Sequence, residues 1–187
     1  MYGTSLIALS KKDGGIHPIA IGCTFRRLTS KLACKAIAND LSNILKPKQL
    51  GFSVKGGCEA AVHAARIFLE CNDDAELFVK VDVRNAFNSV FRSKMLRIVK
   101  EKFPMIYPYI YQCYADHSSL FFGDWKIDWA TGCQQGDPLG PPLFCLINEC
   151  IQNFTSELNL WYLDDGTLGG HGENVIKDLT NIKHEFS

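Results

Sequence analysis

The 187-residue sequence has no net charge, with twenty Lys and Arg against twenty Asp and Glu, so its total marks it for no partner of either sign. No apolar run reaches the roughly 18 residues that span a bilayer, and neither a transmembrane helix nor a membrane partner is expected. The stretch Met1–Leu9 lacks a basic region followed by a long apolar one, and no secretory leader is read from it. Eight cysteines are present, but none forms a Cys-x-x-Cys pair and they fall on expected helices and strands, which argues against a zinc site. Without an export signal they are expected to be reduced and mostly buried, in an intracellular protein that is not secreted. There is no linker, repeat or low-complexity tract. An apolar fraction of 47% is that of a folded globular chain, and the length suits one compact domain or one and a half small ones.

The balanced total hides an asymmetry. Residues 1–60 hold nine Lys and Arg against three Asp and Glu, a net +6, and residues 61–187 hold eleven against seventeen, a net −6. A basic first third suits a polyanion, and an acidic remainder suits bound cations. Two merely solvated surfaces would give the same counts.

Along the chain, Leu6–Leu9 and Ile16–Ile21 read as a hairpin whose turn, Lys11-Lys12-Asp13-Gly14-Gly15, carries glycines that permit positive φ. Thr24–Leu45 places Leu28, Leu32, Ile37, Leu41 and Leu45 at helical spacings, and Pro47 stops that helix. A second helix opens at Gly56-Gly57 and ends at Asn72-Asp73-Asp74. Leu77–Val83 is a strand with Asp82 near its end. Helices are expected over about 92–102 and over 107–114, and a hairpin over 119–129 around Gly123-Asp124. Pro141-Pro142 suits the first turn of a long helix running to about Thr155, and a last helix begins near Glu173.

The chain is organised around Leu158–Gly170, in which apolar residues lead to Asp164-Asp165-Gly166 and a second short apolar run follows. The order reads as a hairpin with Asp-Gly as its turn. Consecutive residues of a flat strand face opposite ways, so two adjacent aspartates serve one site only where the pleat breaks, at a hairpin tip. Paired carboxylates there suit hard divalent cations, which prefer oxygen ligands. An isolated Tyr-x-Asp-Asp is more often an ordinary solvated turn. Asp82 supplies the needed partner if its strand lies beside the hairpin. Three acids at one sheet edge could hold two divalent ions about 3.5–4 Å apart, one activating an attacking hydroxyl and one steadying the leaving group. Such chemistry needs no Ser or His nucleophile.

Three segments in order, Leu77–Val90, Gly132–Leu146 and Trp161–Gly170, resemble the palm motifs of reverse transcriptases, most closely those of non-LTR retrotransposons. The matching residues are Val81-Asp82-Val83-Arg84-Asn85-Ala86-Phe87, Gln135-Gly136-Asp137-Pro138-Leu139 and Tyr162-Leu163-Asp164-Asp165. His17-Pro18-Ile19 and Gln49-x-Gly51-Phe52 look like the fingers motifs of that family. The resemblance implies an α+β fold, a right-hand polymerase palm with partial fingers, in which an antiparallel sheet with the catalytic hairpin packs on helices. Fingers would cover 1–75 and palm 76–187.

The function implied is RNA-directed DNA polymerisation by a retroelement, with Mg²⁺ (two ions, Mn²⁺ as a substitute), an RNA template, a DNA primer and deoxynucleoside triphosphates. Asp82, Asp164 and Asp165 would be catalytic and hold the metal. Val83 and Arg84 would reach the triphosphate through backbone N–H groups. Phe87 would lie under the incoming sugar and reject a 2′-hydroxyl, a role otherwise read as that of a core aromatic. Gln135 and Gly136 would line the nucleotide pocket. Lys11, Lys12, Arg26 and Arg27 are candidates for phosphate contact, each also readable as plain surface charge. The site of action would be the nucleus, and the partners would include the rest of a retroelement polyprotein: a thumb and an endonuclease.

Two departures from the family pattern stand out. His17 occupies the place of an Arg and, near its reference pKa of about 6.5, is mostly neutral at pH 7, which weakens a triphosphate clamp. Leu163 replaces a commoner Ala and could crowd the primer end. The lysine-bearing segment, primer-grip hairpin and thumb that follow such a palm are not in the sequence, so a fragment with weak or no processive synthesis is expected. An inactive or domesticated copy that at most binds nucleic acid is the alternative. Retention of all three aspartates speaks against long decay.

Overall fold

A computed structural model describes residues 3–185 apart from Lys11, Asp13, Arg84, Gln135 and Asn148, and only the backbone of His17. The chain divides into two compact units, one of Met1–Ile37 with Phe87–Ile147 and one of Ala38–Ala86 with Asn148–Ser187. Each is discontinuous in sequence.

In the first unit, β1 (Thr4–Ser10) and β2 (Ile16–Ile21) form the expected hairpin, and α1 (Thr24–Leu45) follows, its residues from Ala38 on belonging to the second unit. The apolar leucines do not all face inward. Ile37, Leu41 and Leu45 are buried, but Leu28 and Leu32 are exposed, and the inward stripe continues toward the N-terminus through Ala33, Ser30 and Arg26. Those polar positions go inside because they find partners: Ser30 Oγ lies 2.9 Å from Tyr109 Oη, and Arg26 reaches Asp137.

Further along come β3 (Leu77–Asp82), the single turn α3 (Ala86–Ser89), α4 (Arg92–Lys102) and α5 (Tyr107–Tyr114), after α2 (Gly57–Cys71). Then β4 (Ser118–Phe122) and β5 (Trp125–Trp129) make the second hairpin, turning at Gly123-Asp124. Strand β4 pairs in parallel with β1, so the two hairpins share one four-stranded sheet in the order β2-β1-β4-β5. Helix α6 (Gly140–Ile147) follows, with Pro141-Pro142 in its first turn as expected.

That helix does not run to Thr155. It ends at Ile147, and Glu149–Asn153 is a 3₁₀ segment. The carbonyls there are taken by side chains from elsewhere: Asn159 Nδ2 donates to Ile151 O at 2.8 Å, and Lys48 Nζ to Gln152 O at 2.8 Å and Phe154 O at 3.2 Å. Captured carbonyls favour a tightened turn over a continued i→i−4 ladder.

The second unit holds the three-stranded antiparallel sheet β3-β7-β6, with β6 Leu158–Tyr162 and β7 Asp165–Gly170, and then α7 (Gly172–Glu185). The alternation predicted for residues 77–83 is present: Leu77, Val79 and Val81 face one side and Phe78, Lys80 and Asp82 the other. The inner side packs on a core of Ile151, Phe154, Trp161, Leu168, Val175 and Ile182. On the outer side α2 covers the far end, where Phe68 meets Phe78 and a Cβ on Gly169 would stand 2.7 Å from the Phe68 ring. At the near end of that outer face Asp82 and Asp165 are exposed.

All eight cysteines are free. Cys113, Cys133 and Cys145 are buried, while Cys23, Cys58 and Cys71 are exposed, so burial holds for fewer of them than expected. No helix among the described residues is long and apolar enough to cross a membrane.

Candidate active site

The strands bearing the three acids are neighbours. Asp82 and Asp165 are direct cross-strand partners, the last pair of the β3–β7 ladder, and Tyr162 faces Asp165 from β6. Pairs so placed share a face with Cβ atoms a few ångströms apart, and like charges there are unfavourable without a cation between them. The hairpin turn is Leu163-Asp164, not Asp165-Gly166. Leu163 takes φ 57°, the positive value that two-residue hairpin loops demand at their first position. Gly166 is instead a strand residue, and its missing side chain makes room for the indole, because a Cβ there would stand 2.8 Å from the Trp161 ring. Asp165-Gly166 therefore opens the returning strand and does not make the turn.

Asp164, half-buried at the tip, has its carboxyl pushed above the usual range by burial and by the charges of Asp165 and Asp82, against one backbone hydrogen bond that lowers it. Asp164 therefore feels both of the other carboxylates. Among the described residues neither Asp82 nor Asp164 has an ion-pair partner. Asp165 has Lys80, with Nζ to Oδ1 at 3.6 Å, and both side chains are exposed, so the pair is weak. Also among the described residues, no three His, Cys, Asp or Glu side chains converge closely enough to form a ready metal cage. The donor set, all carboxylate oxygen with excess negative charge, fits a hard divalent ion.

Next to Asp82, Val83 is half-buried and packs against the core of its unit, while its carbonyl accepts from Ala86 N at 3.3 Å. Arg84 lies outside the described residues.

In the first unit, Phe87 is half-buried and stacks on Phe144, ring centroids 4.5 Å apart. The loop before α6 is docked against the Phe87 segment: Cys133 N donates to Phe87 O and Gly132 N to Val90 O, both at 2.8 Å. Gly132 must be glycine here, since a Cβ would meet Phe87 O at 2.5 Å. Gly136, at φ 102°, brings its backbone against β2, where a Cβ would meet Ala20 O at 2.8 Å. Gln135 and Lys11 lie outside the described residues, as does the side chain of His17. Lys12 and Arg27 are exposed.

Arg26 is a correction. The sequence offers it as a candidate for phosphate contact or as plain surface charge, but its side chain is 3% exposed and its Nη2 and Nε lie 3.0 and 3.1 Å from Asp137 Oδ2. Burial alone lowers its pKa, yet Tyr114 and Asp137 reverse that and hold the guanidinium charged. Asp137 also accepts from Leu139 N at 3.0 Å, which fixes the entry to α6. The pair is part of the fold.

Sequence reasoning gave no role to Gln49, which the structure places at the Asp164 turn. Its side chain is fully buried and bonds both backbone groups of Leu163. The motif Gln49-x-Gly51-Phe52 flagged the residue, but its partner lies 114 positions away.

Residues 9–186 match the family described as reverse transcriptase (RNA-dependent DNA polymerase). The chain belongs to that family. Among solved structures, the chain is similar to telomerase from Candida tropicalis in complex with a TWJ fragment of telomeric RNA, at a TM-score of 0.70 and 10% identity. The match covers 96% of this chain and 38% of that one. Apo telomerase from Candida tropicalis truncated from its C-terminal domain gives 0.62 and 11%, over 96% and 46%. A partial Cas6-RT-Cas1–Cas2 complex gives 0.52 and 14%, over 97% and 33%. At such identities the likeness is one of fold, the α+β fold of fingers and palm. The chain spans less than half the length of each of these structures. No curated protein is significantly similar to it.

Proposed function

We propose that the chain is the fingers-palm part of an RNA-directed DNA polymerase of a non-LTR retroelement, adding deoxynucleotides to a DNA primer on an RNA template. Fingers and palm here name roles for 1–75 and 76–187, not the compact units. The observation that supports this most is the register of Asp82 with Asp165 at the end of the β3-β7-β6 sheet, with the Asp164 carboxyl raised by burial and by the charges of both.

Asp82 and Asp164 would hold the divalent ions, and Asp165 would assist. Bound there, Mg²⁺ supplies activation of the primer hydroxyl and neutralisation of charge on the leaving pyrophosphate. The chain's own residues do the rest. The carboxylates must be ionised to serve as ligands, and the open outer face admits substrate to them. Phe87, its ring braced by Phe144, would exclude a 2′-hydroxyl by occupying its space. Lys12 and Arg27, exposed and basic, remain candidates for phosphate contact, while Arg26 is not one. Action in the nucleus and assembly with further parts of a polyprotein belong to the same proposal.

The test pairs metal binding with single-nucleotide addition. Mn²⁺ or Mg²⁺ should raise the melting temperature of the chain, as any ligand of the folded state does, and Asp82→Ala and Asp164→Ala should abolish the rise. The same substitutions should remove incorporation of one deoxynucleotide on a preformed RNA–DNA primer–template. Metal binding that survives both substitutions overturns the assignment. Nucleic-acid binding without aspartate-dependent incorporation establishes the inactive copy instead.

A further inference from the structure

The turn that carries Asp164 is held from outside its own hairpin. After α1 the chain passes Lys46-Pro47 and runs beside the free edge of β6. Trp161 N donates to Lys48 O and Leu50 N to Trp161 O, both at 2.7 Å, which makes Gln49 a bridge partner of Trp161. From there the Gln49 side chain extends to the hairpin tip. Its Nε2 donates to Leu163 O at 3.0 Å, and its Oε1 accepts from Leu163 N at 2.8 Å and from Gly51 N at 2.9 Å.

One amide thus grips both peptide planes that flank Leu163, and the second of those planes is the one from which Asp164 begins. Leu163 is a γ-branched residue at positive φ, a conformation that persists only where surrounding contacts over-determine it. A carboxamide is the side chain that offers a donor and an acceptor side by side. Gly51 completes the grip: a Cβ there would come within 2.5 Å of Leu163 N, 2.8 Å of Leu163 Cγ and 3.0 Å of Gln49 Oε1. The Leu163 side chain therefore lies toward Gly51. Lys48, bonded to Gln152 O and Phe154 O, anchors the same loop without touching the turn.

We infer that Gln49 is a positioning residue for the metal-binding carboxylates, setting the place of Asp164 through Leu163. This rests on the reading of Asp82, Asp164 and Asp165 as a divalent-cation site. Partners of metal ligands that lie one step out typically change metal affinity by about 10–100-fold when removed.

The experiment uses the chain with Mn²⁺ as probe and the Leu163 amide as an independent reporter. In the unmutated chain, hydrogen exchange at the Leu163 amide should be slow, and a freely exchanging amide overturns the inference without any variant. Gln49→Met keeps the volume and loses the bonds. It should speed exchange at Leu163 and weaken Mn²⁺ binding by at least about tenfold. Gln49→Glu keeps the acceptor and loses the donor to Leu163 O, and it serves if the methionine variant does not fold. Lys48→Met should lower the melting temperature yet leave Mn²⁺ affinity within about twofold, since it loosens the loop and not the grip. Equal losses in Lys48→Met and Gln49→Met reduce Gln49 to a structural residue and overturn the assignment, as does unchanged affinity in a folded Gln49 variant. If the unmutated chain binds no Mn²⁺ through Asp164, it is the reading of the site that fails. Exchange at Leu163 still decides whether Gln49 holds the turn.

Discussion

Asp137 precedes α6 in one compact unit, the Asp164-Asp165 pair stands where the β6–β7 turn meets β7 in the other, and the protein treats these carboxylates oppositely. Asp137 is buried, ion-paired with Arg26, and accepts from the Leu139 amide, with Tyr114 Oη 3.4 Å away. Asp164 and Asp165 have around them Asp82, one another and a weakly placed lysine. A carboxylate whose charge the protein itself neutralises is part of the fold. Carboxylates that meet mainly like charges at a sheet end are, on the proposed reading, where a cation from solution would sit. The contrast separates an acid that the fold pairs from acids that it leaves without a strong partner, and it does so without reference to any motif.

The comparison breaks most visibly at Asp137. Removing it by Asp137→Ala strands the Arg26 guanidinium in a buried position, and losing one partner of such a pair typically costs about 3–5 kcal/mol. Urea unfolding of the variant should show a loss of that order. A loss within about 0.5 kcal/mol, the range of ordinary surface substitutions, would mean that Arg26 can reach solvent or phosphate after all.

Asp164→Asn is the complementary change. In the absence of metal it should leave the fold intact and not lower stability, because it removes a like charge and no ion pair. With Mn²⁺ at about 100 times its dissociation constant the unmutated chain should gain about 2.7 kcal/mol, and the variant should gain much less. Thermal melts with and without Mn²⁺ check both halves. A variant destabilised without metal as severely as Asp137→Ala would erase the distinction between the two acids.

Much of this was legible in the sequence, and the illegible part has a common cause. The alternation in Leu77–Asp82 predicts a half-buried strand and the placement of Asp82 on its outer side, because a two-residue period is local. The hairpins and the proline-opened α6 are local too. What could not be read were pairings across distance. Arg26 looks like a solvated helix charge until Asp137, 111 residues away, is seen beside it, and Gln49 looks like a loop residue until Leu163 is. The turn was misplaced by two residues because Gly166 announces a tight bend to a local reading. What it serves is the ring of Trp161 on the neighbouring strand. The adjacency of β3 and β7, on which the whole site depends, is also non-local, and only the order of three motifs hinted at it.

The smallest expected effect concerns protons at Asp164. Its folded-state pKa is raised above 3.8 by burial and by Asp165 and Asp82, so as pH climbs from that value the unfolded chain releases this proton first. Within the window the folded state binds more protons, and stability falls as pH rises until the folded-state pKa is passed. In metal-free melts from about pH 3 to about pH 7, the unmutated chain should therefore lose ground relative to Asp164→Asn, with the loss complete at the upper end. Saturating Mn²⁺ should reverse the slope, because the ion binds only the ionised carboxyl and its affinity grows as the proton leaves. A difference between the two chains that stays flat with pH, with and without metal, would mean that the three carboxylates do not act on one another. The contrast with Asp137 would then rest on exposure alone.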